Sequence, residues 1–423
     1  MTFLNTEIRK LRTSSLAHNA GWMLVGQGLN LLLQAGYFIL LARLLGVKEY
    51  GIFVGAFAFV SLATPYSALG SGMLFVHYVS TKVENFAAYW GNVLLSTLGA
   101  GAFITGLLYL IAPHLLNPAS ASITLLVALG ECICRQLVIC IGQMFQAFEQ
   151  LRMTAAVNLL TNFLRLLAVA ALALFLHRAT AWQWALASLV VSVFAALAGS
   201  AIITARYGRP RFVPQLLFAR LGEGLNFSLA GSTQSAYNDI DKTMLSHYGM
   251  NVANGIYTMA YRIVDLATVP ITALDVAALP RYFRQSTQGA ASVVGLSRRL
   301  AKRAALLGIA MSVCMFIAAP LIPIVVGRGF SESVTAFRWL CLIPAFRGVH
   351  QLTGSAITGM GFQRYRTMAQ LAAAALNFGL NLWLIPRYSW LGAAWASLAT
   401  DGALAVVNWT TLCSLRTRFS AVH

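Results

Sequence analysis

Charge is scarce in this sequence, and negative charge is scarcest. Only 10% of the 423 residues are charged, and 12 Asp and Glu stand against 30 Lys and Arg. Soluble domains carry about 25% charged residues, so a soluble globular enzyme is excluded. With 58% hydrophobic residues, a disordered chain is excluded as well. Phosphate-binding Gly-rich loops, nucleotide-binding signatures and metal-ligand spacings are missing from every polar stretch. The sequence therefore assigns no catalytic residue, no cofactor-binding residue and no metal ligand, and the expected protein is not an enzyme. Cys132, Cys134, Cys140, Cys314, Cys341 and Cys413 lack the paired spacing of a zinc ribbon. All six are read as small buried hydrophobes that say nothing about compartment. No small-residue cleavage site follows the polar stretch Met1–Asn19, so the next apolar stretch reads as a first span, not a cleaved signal peptide.

What the sequence has in quantity is apolar runs. Twelve are evident, at approximately 20–43, 51–76, 88–111, 121–146, 154–176, 182–205, 225–247, 252–279, 304–326, 334–356, 367–386 and 391–413. A span needs about 20 apolar residues, and backbone groups in lipid must be satisfied internally, so runs of this length are helices. The strand-length alternation of an outer-membrane barrel is absent. The expected class is an all-α polytopic membrane protein with about twelve transmembrane helices.

The net charge of +18 would point a soluble protein toward nucleic acid. Here the charges sort by loop instead. With the N-terminus inside, nineteen Lys and Arg fall on cytoplasmic tails and loops, and five on outer loops: Arg43, Lys48, Arg178, Arg328 and Arg387. That is a positive-inside distribution with both termini cytoplasmic, and it makes a nucleic-acid partner unnecessary. The two longest loops, 206–224 and 280–303, are both on the basic side. The stretch 282–303 is expected to lie along the inner surface, drawn to anionic membrane lipid.

Self-comparison aligns Gly51–Thr64 with Gly255–Thr268 at a shift of 204 residues. Gly, Ile, Ala, Val, Leu, Ala and Thr coincide, and Phe53 and Phe57 become Tyr257 and Tyr261. The shift maps span two onto span eight, which gives two parallel six-helix repeats related by an axis along the membrane normal. Repeats of this kind are typical of secondary transporters. The chain then divides into an N-terminal six-helix bundle at 1–205, a basic cytoplasmic linker at 206–224 and a C-terminal six-helix bundle at 225–423.

Four places carry a resemblance. They are Asn19–Gly21 opening a first helix dotted with Gln27, Asn30 and Gln34; Leu45–Gly46 followed by Tyr50–Gly51; Asp241–Lys242 in span seven with Ala253–Tyr257 and Ala260–Arg262 after it; and Pro280–Arg281 closing span eight. With the six-plus-six layout, the chain resembles the multidrug/oligosaccharidyl-lipid/polysaccharide (MOP) transporter superfamily. Within it the chain is similar to the polysaccharide-export flippases that move undecaprenyl-pyrophosphate-linked oligosaccharide. The resemblance implies V-shaped bundles around a central cavity that opens alternately inward and outward, in a bacterial inner membrane. It also implies a glycan polymerase of the same pathway as a partner.

Charges inside spans cost about 2.5–3.5 kcal/mol each at a helix centre, which makes a functional or paired role the default. Arg135, Arg165, Arg262 and Arg347, with Lys242 as an added point charge, are the candidate substrate-binding residues, because a guanidinium fork suits a pyrophosphate. Glu131, Asp239, Asp241, Asp265 and Asp401 are candidates for charge pairing or for coupling to H⁺ or Na⁺. The spacings Glu131/Arg135, Asp239/Lys242 and Arg262/Asp265 allow plain pairing within a helix, and that reading stands beside the functional one. Asp239 and Asp241, two apart, are expected on different helix faces. Arg338 is placed near the outer face, where it can snorkel, and Asp275 near the inner one. Gln27, Asn30 and Gln34 form one polar stripe that either lines a cavity or bonds between helices. Trp182, Trp184 and Trp390 are expected as interface anchors, and Pro65 and Pro270 as kinks. The leading function is a lipid-linked oligosaccharide flippase. The alternative is a cation-coupled exporter of drugs or metabolites from the same superfamily. A membrane-embedded glycan polymerase or ligase would display a sizeable outer loop with catalytic Arg, His or acidic residues, and this sequence has none.

Overall fold

The computed structural model describes the backbone of residues 2–420 and the side chains of residues 28–415, apart from those of Ala230, Thr233, Gln234 and Ala236. The side chain of Gln27 lies outside this range. Every regular element among the described residues is helical. Among the described residues, nine stretches are long and apolar enough to cross a membrane. One of them, Gly28–Val79, covers the first two apolar runs of the sequence. Runs 225–247 and 334–356 are helical without joining the nine. The first is diluted by Asp239, Asp241 and Lys242, and the second is divided between helices Ser333–Leu340 and Ile343–Gly359. The exterior is apolar: Phe103, Leu174, Phe175, Ile317 and Ile324 are all at least 70% exposed. A surface of this kind is stable only against lipid or another apolar partner.

The chain forms two compact units. The first comprises Met1–Leu45 and Phe59–Ser232, the second Gly46–Ala58 and Thr233–His423. The long helix Thr2–Ala63 is divided between the units and is interrupted at Gly46, whose φ of 70° and ψ of 171° a residue with a Cβ adopts only at a cost. The helix stops before Pro65, which sits in a tight turn at Thr64–Tyr66 ahead of Ser71–Val79. Pro270, by contrast, lies within the unbroken helix Asn251–Ser286. The first unit's core gathers Phe75, Trp90, Ile141, Met144 and Phe145. The Trp90 indole donates to Thr204 Oγ1 at 3.1 Å. The segment before helix Pro214–Ala219 is fastened to helix Phe86–Leu115 by a bond from Arg211 N–H to the Ala87 carbonyl, 2.7 Å. Just beyond, Glu223 accepts from Tyr78 at 2.9 Å and from Arg220 at 2.7 Å. These two donors hold the Glu223 carboxyl below its usual range, the tyrosine contributing most.

In the second unit, Tyr282, Val293, Leu300, Leu352, Ile357 and Leu412 form one core cluster. Of the basic stretch 282–303, residues 290–303 form the first half of a continuous helix, Ala290–Ala318. Its buried positions Val293, Val294, Ser297, Leu300, Ala301 and Ala304 fall on one face, and Arg298, Arg299, Lys302 and Arg303 stand exposed on the other. Amphipathic spacing thus extends the helix past the apolar run that marked it in the sequence.

The two stretches that match in sequence meet in this unit. A Cβ on Gly51 would lie 1.8 Å from the carbonyl oxygen of Asn251, and a Cβ on Gly255 would lie 2.1 Å from that of Val47. Val47 and Asn251 are themselves 204 residues apart. The two stretches therefore meet reciprocally, each glycine against the partner's carbonyl four residues before the partner's own glycine. Asn254 Nδ2 donates to the Gly51 carbonyl at 3.3 Å across the same crossing. Glycines let two helices approach backbone to backbone, which is how helices associate in lipid without a hydrophobic driving force.

Several side chains sit otherwise than the sequence suggested. Trp184 is fully buried, 5.6 Å from the ring of Tyr37, and is no interface anchor. Trp182 is half exposed. Of the cysteines, Cys132, Cys140 and Cys341 are buried, Cys134 and Cys413 are partly so and Cys314 is exposed; all six are free thiols. An exposed thiol on an apolar helix face is the reason the expectation of six buried cysteines fails: in lipid, apolar residues face outward as readily as inward. Arg338 is exposed, 5.0 Å from the Phe316 ring.

The crossing gives the first prediction. Gly255→Ala should destabilise the protein by about 1–3 kcal/mol, the range for overpacking, because both flanking backbones must move. Gly99→Ala, where a Cβ meets nothing within 4 Å, serves as the control. Thermal unfolding of detergent-solubilised protein decides; equal melting of the two variants refutes a backbone-contact role for Gly255.

Candidate functional site

The charged residues singled out from the sequence gather into four groups, one in the first unit and three in the second. In the first unit, helix Pro118–Ala128 continues through a π-helical turn, Leu129–Arg135, into helix Gln136–Ala147. Such turns recur at functional sites, and this one carries Glu131 and Arg135. Glu131 Oε2 accepts from Arg135 Nε at 3.2 Å, and its Oε1 lies 2.9 Å from Arg165 Nη2. Arg165 comes from helix Leu151–Phe175, where it and Val169 are the buried residues. One carboxylate thus serves two guanidinium groups and leaves a unit of positive charge. The Arg165 side chain is 7% exposed, that of Arg135 38%. Arg165 Nε has no hydrogen-bond partner among the described residues. That Arg135 and Arg165 meet on one carboxylate agrees with their equal distance from the turn near residue 150.

The second unit contributes helices Leu221–His247, Asn251–Ser286, Ile343–Gly359 and Trp390–Ser420. Lys242 Nζ lies 3.2 Å from Asp239 Oδ1 and 3.4 Å from Asp241 Oδ1, and donates to the Asn238 carbonyl. The two aspartates, expected to diverge, converge on one ammonium, because the long lysine stem reaches around the helix. Asp241 is buried and also accepts from the Tyr257 hydroxyl, which in turn meets Ser397 Oγ at 2.9 Å. Lys242 Nζ stands 4.7 Å from the centroid of the Tyr261 ring. Arg347 spans the next pair: Nη1 reaches Asp265 Oδ1 at 2.8 Å and Nη2 the Tyr261 hydroxyl at 2.7 Å. Asp265 therefore pairs with a residue 82 positions away, a partner that no helical spacing indicates. Arg262 lies over the Phe57 ring, 6.0 Å from its centroid.

Asp401 is fully buried. Its Oδ1 accepts from the Tyr237 hydroxyl and lies 3.2 Å from His350 Nε2; its Oδ2 has no hydrogen-bond partner among the described residues. The more peripheral Asp275 accepts from Ser355 Oγ at 3.0 Å, and Arg366 Nη1 lies 3.2 Å from the neighbouring Thr358 Oγ1. In the polar stripe of the first helix, Asn30 accepts from Asn162, a bond between helices.

Tyr237, Tyr257, Tyr261, His350 and Ser397 were not singled out in the sequence. For two of them a signal existed. Tyr257 and Tyr261 replace Phe53 and Phe57 of the other repeat, and the two added hydroxyls are the ones that bind Asp241 and Arg347. A phenol in place of a phenyl at matched positions marks the places where a hydroxyl meets buried charge in the second unit.

With this geometry in hand, comparison places the chain. The family model for polysaccharide biosynthesis proteins matches residues 16–285, more than half of the sequence. The chain belongs to that family. Its fold is that of the MOP superfamily transporters, and it is a multi-pass membrane protein. An inward-facing multidrug-resistance MATE family transporter of that superfamily aligns with a TM-score of 0.76 at 14% identity, covering 93% of this chain and 95% of that one. The lipid II flippase MurJ, in an inward closed conformation, aligns with a TM-score of 0.73 at 12% identity over 92% and 87%. A MOP superfamily transporter from Pyrococcus furiosus, described as having a binding pocket of reversed polarity, aligns at 0.62 with 15% identity over 95% and 94%. No curated protein matches the chain in sequence.

Removing one partner of a buried ion pair costs about 3–5 kcal/mol, whereas a half-exposed pair costs about 1 kcal/mol or less. Arg165→Ala should therefore lower stability much more than Arg135→Ala. Thermal unfolding of the two purified variants checks this; equal losses would mean that Glu131 is not the anchor of Arg165.

Proposed function

We propose that this protein is a flippase that translocates undecaprenyl-pyrophosphate-linked oligosaccharide, an O-antigen or exopolysaccharide repeat unit, from the cytoplasmic to the periplasmic leaflet of a bacterial inner membrane. It works by alternating access of the bundles at 1–205 and 225–423, joined by the linker 206–224, with both termini cytoplasmic. Membership of the polysaccharide biosynthesis family supports the substrate class. The observation that carries the chemistry is the surplus cation of Glu131, Arg135 and Arg165, with half-exposed Arg135 as its accessible edge. A pyrophosphate crossing hydrocarbon needs such a counter-charge, and a guanidinium offers it bidentately. Arg262, Arg347 and Lys242 are the further substrate contacts. Glu131, Asp239, Asp241, Asp265 and Asp401 hold these bases in place, and Glu131, Asp239 and Asp241 are the candidates to sense the coupling ion, H⁺ or Na⁺. Anionic lipid at the exposed face of Arg298, Arg299, Lys302 and Arg303, and a glycan polymerase receiving the product, complete the set of partners.

A second reading, a cation-coupled exporter of drugs or metabolites, draws on the carboxylates of the second unit. Among the charged residues singled out there, four carboxylates, Asp239, Asp241, Asp265 and Asp401, stand against three bases, Lys242, Arg262 and Arg347, a balance that suits a cation better than an anion.

Complementation separates the two. In a bacterial strain lacking its own oligosaccharide flippase, the wild-type chain should restore surface glycan, and Arg135→Ala, expressed at wild-type level in the membrane, should not. Arg165→Ala, Arg262→Ala and Arg347→Ala complete the series. If wild type restores glycan and all four variants do too, the arginines are structural. If wild type fails in strains covering several glycans while conferring drug efflux, the exporter reading holds.

A further inference from the structure

At one end of the second unit, next to the reciprocal glycine crossing, lies a cavity of about 410 Å³. Its wall comes from four separate stretches: Lys48, the turn 249–253 with Ile256, Glu332, and Ser389 with Trp390. Ser389 holds φ at 54° and ψ at −134°, a conformation that residues with a Cβ rarely adopt and that tends to be retained where a site needs it. The volume suits a ligand of one or two sugar rings, within the range of small-molecule sites. The lining pairs one ammonium with one carboxylate, adds the Ser389 hydroxyl, and supplies an indole beside Met250, Val252 and Ile256. An anion would meet Glu332 and a cation would meet Lys48. A neutral ring with an apolar C–H face and hydroxyls that both donate and accept is matched by all of them.

We propose that this cavity binds a neutral saccharide, with the ring against Trp390 and its hydroxyls on Lys48, Glu332 and Ser389. The proposal rests on the flippase reading for its biological sense: the positive-inside bias assigns these stretches to the outer side, where the cavity would receive the sugar portion of the translocated lipid. Its wall includes Lys48, on the stretch that crosses Asn251–Gly255. Occupancy by sugar therefore ties that stretch to the turn at 249–253.

The test uses the full chain in detergent micelles and N,N′-diacetylchitobiose as the probe, read by saturation-transfer-difference NMR. Wild type should transfer saturation to the ring protons. Trp390→Ala should weaken binding about threefold to tenfold, as loss of one aromatic contact does. Lys48→Met should weaken it too, on an exposed side chain whose replacement leaves folding intact. Trp383→Ala, at an exposed tryptophan outside the cavity, should bind like wild type. Glucuronic acid should bind more weakly than the neutral disaccharide. No transfer from wild type, or equal transfer in wild type, Trp390→Ala and Lys48→Met, overturns the proposal. If binding depends on Trp390 but complementation fails in strains covering several glycans, the cavity stands and the flippase reading falls. If complementation succeeds and binding does not depend on Trp390, the reverse holds.

Discussion

A charge placed in hydrocarbon must find a counter-charge or a polar partner, and the interior of this protein is organised around that requirement. Glu131 answers it for two arginines at once, and Asp239 and Asp241 together answer it for Lys242. Helix Leu151–Phe175 shows how far the requirement reaches. Most of its surface is not buried, and Arg165 is one of the two residues that are. Its position in the first unit is held by that ion pair together with the Thr154 hydroxyl on the Gly142 carbonyl and the packing of Met153 and Val157 against the core. Apolar packing discriminates weakly when the surroundings are as apolar as the side chains. Hydrogen bonds and charge pairs keep their directionality there, so they decide which helix faces meet.

Close backbone approach is the second organising force. The reciprocal contact of Gly51 and Gly255 with the carbonyls of Asn251 and Val47 puts matched positions of the two repeats in the same environment. The repeats then diverge in their aromatic residues. Phe53 and Phe57 offer only ring faces, and Phe57 meets the cation of Arg262. Tyr257 and Tyr261 offer hydroxyls, and these fasten Asp241 and Arg347. Two oxygen atoms, added at equivalent positions, let one repeat carry a denser set of buried charges than the other.

Much of this was legible in the linear sequence, for identifiable reasons. Apolar runs of span length can only be helices in lipid, so the helical class and the approximate places of the segments followed from composition. Local ion pairs were also legible: Glu131 with Arg135 and Asp239 with Lys242 lie one helical turn apart, and both form. The readings that failed share a cause. Trp184 was placed from its position at a span end and Cys314 from hydropathy, and neither distinguishes a lipid-facing side of a helix from a protein-facing one.

The sequence by itself determined the solvent of this protein, its helical class and the identities of its costly buried charges. Those properties depend on residue type and short-range spacing, which the chain carries wherever it folds. Tertiary structure alone decided the partnerships: Arg165 with Glu131 across 34 residues, Arg347 with Asp265 across 82, and Asp401 with His350 and Tyr237 across 51 and 164. Several acceptors of equal chemistry were available to each base, and pairing energy falls off within a few ångströms. Which of them it meets is settled only when packed helices bring particular atoms into reach.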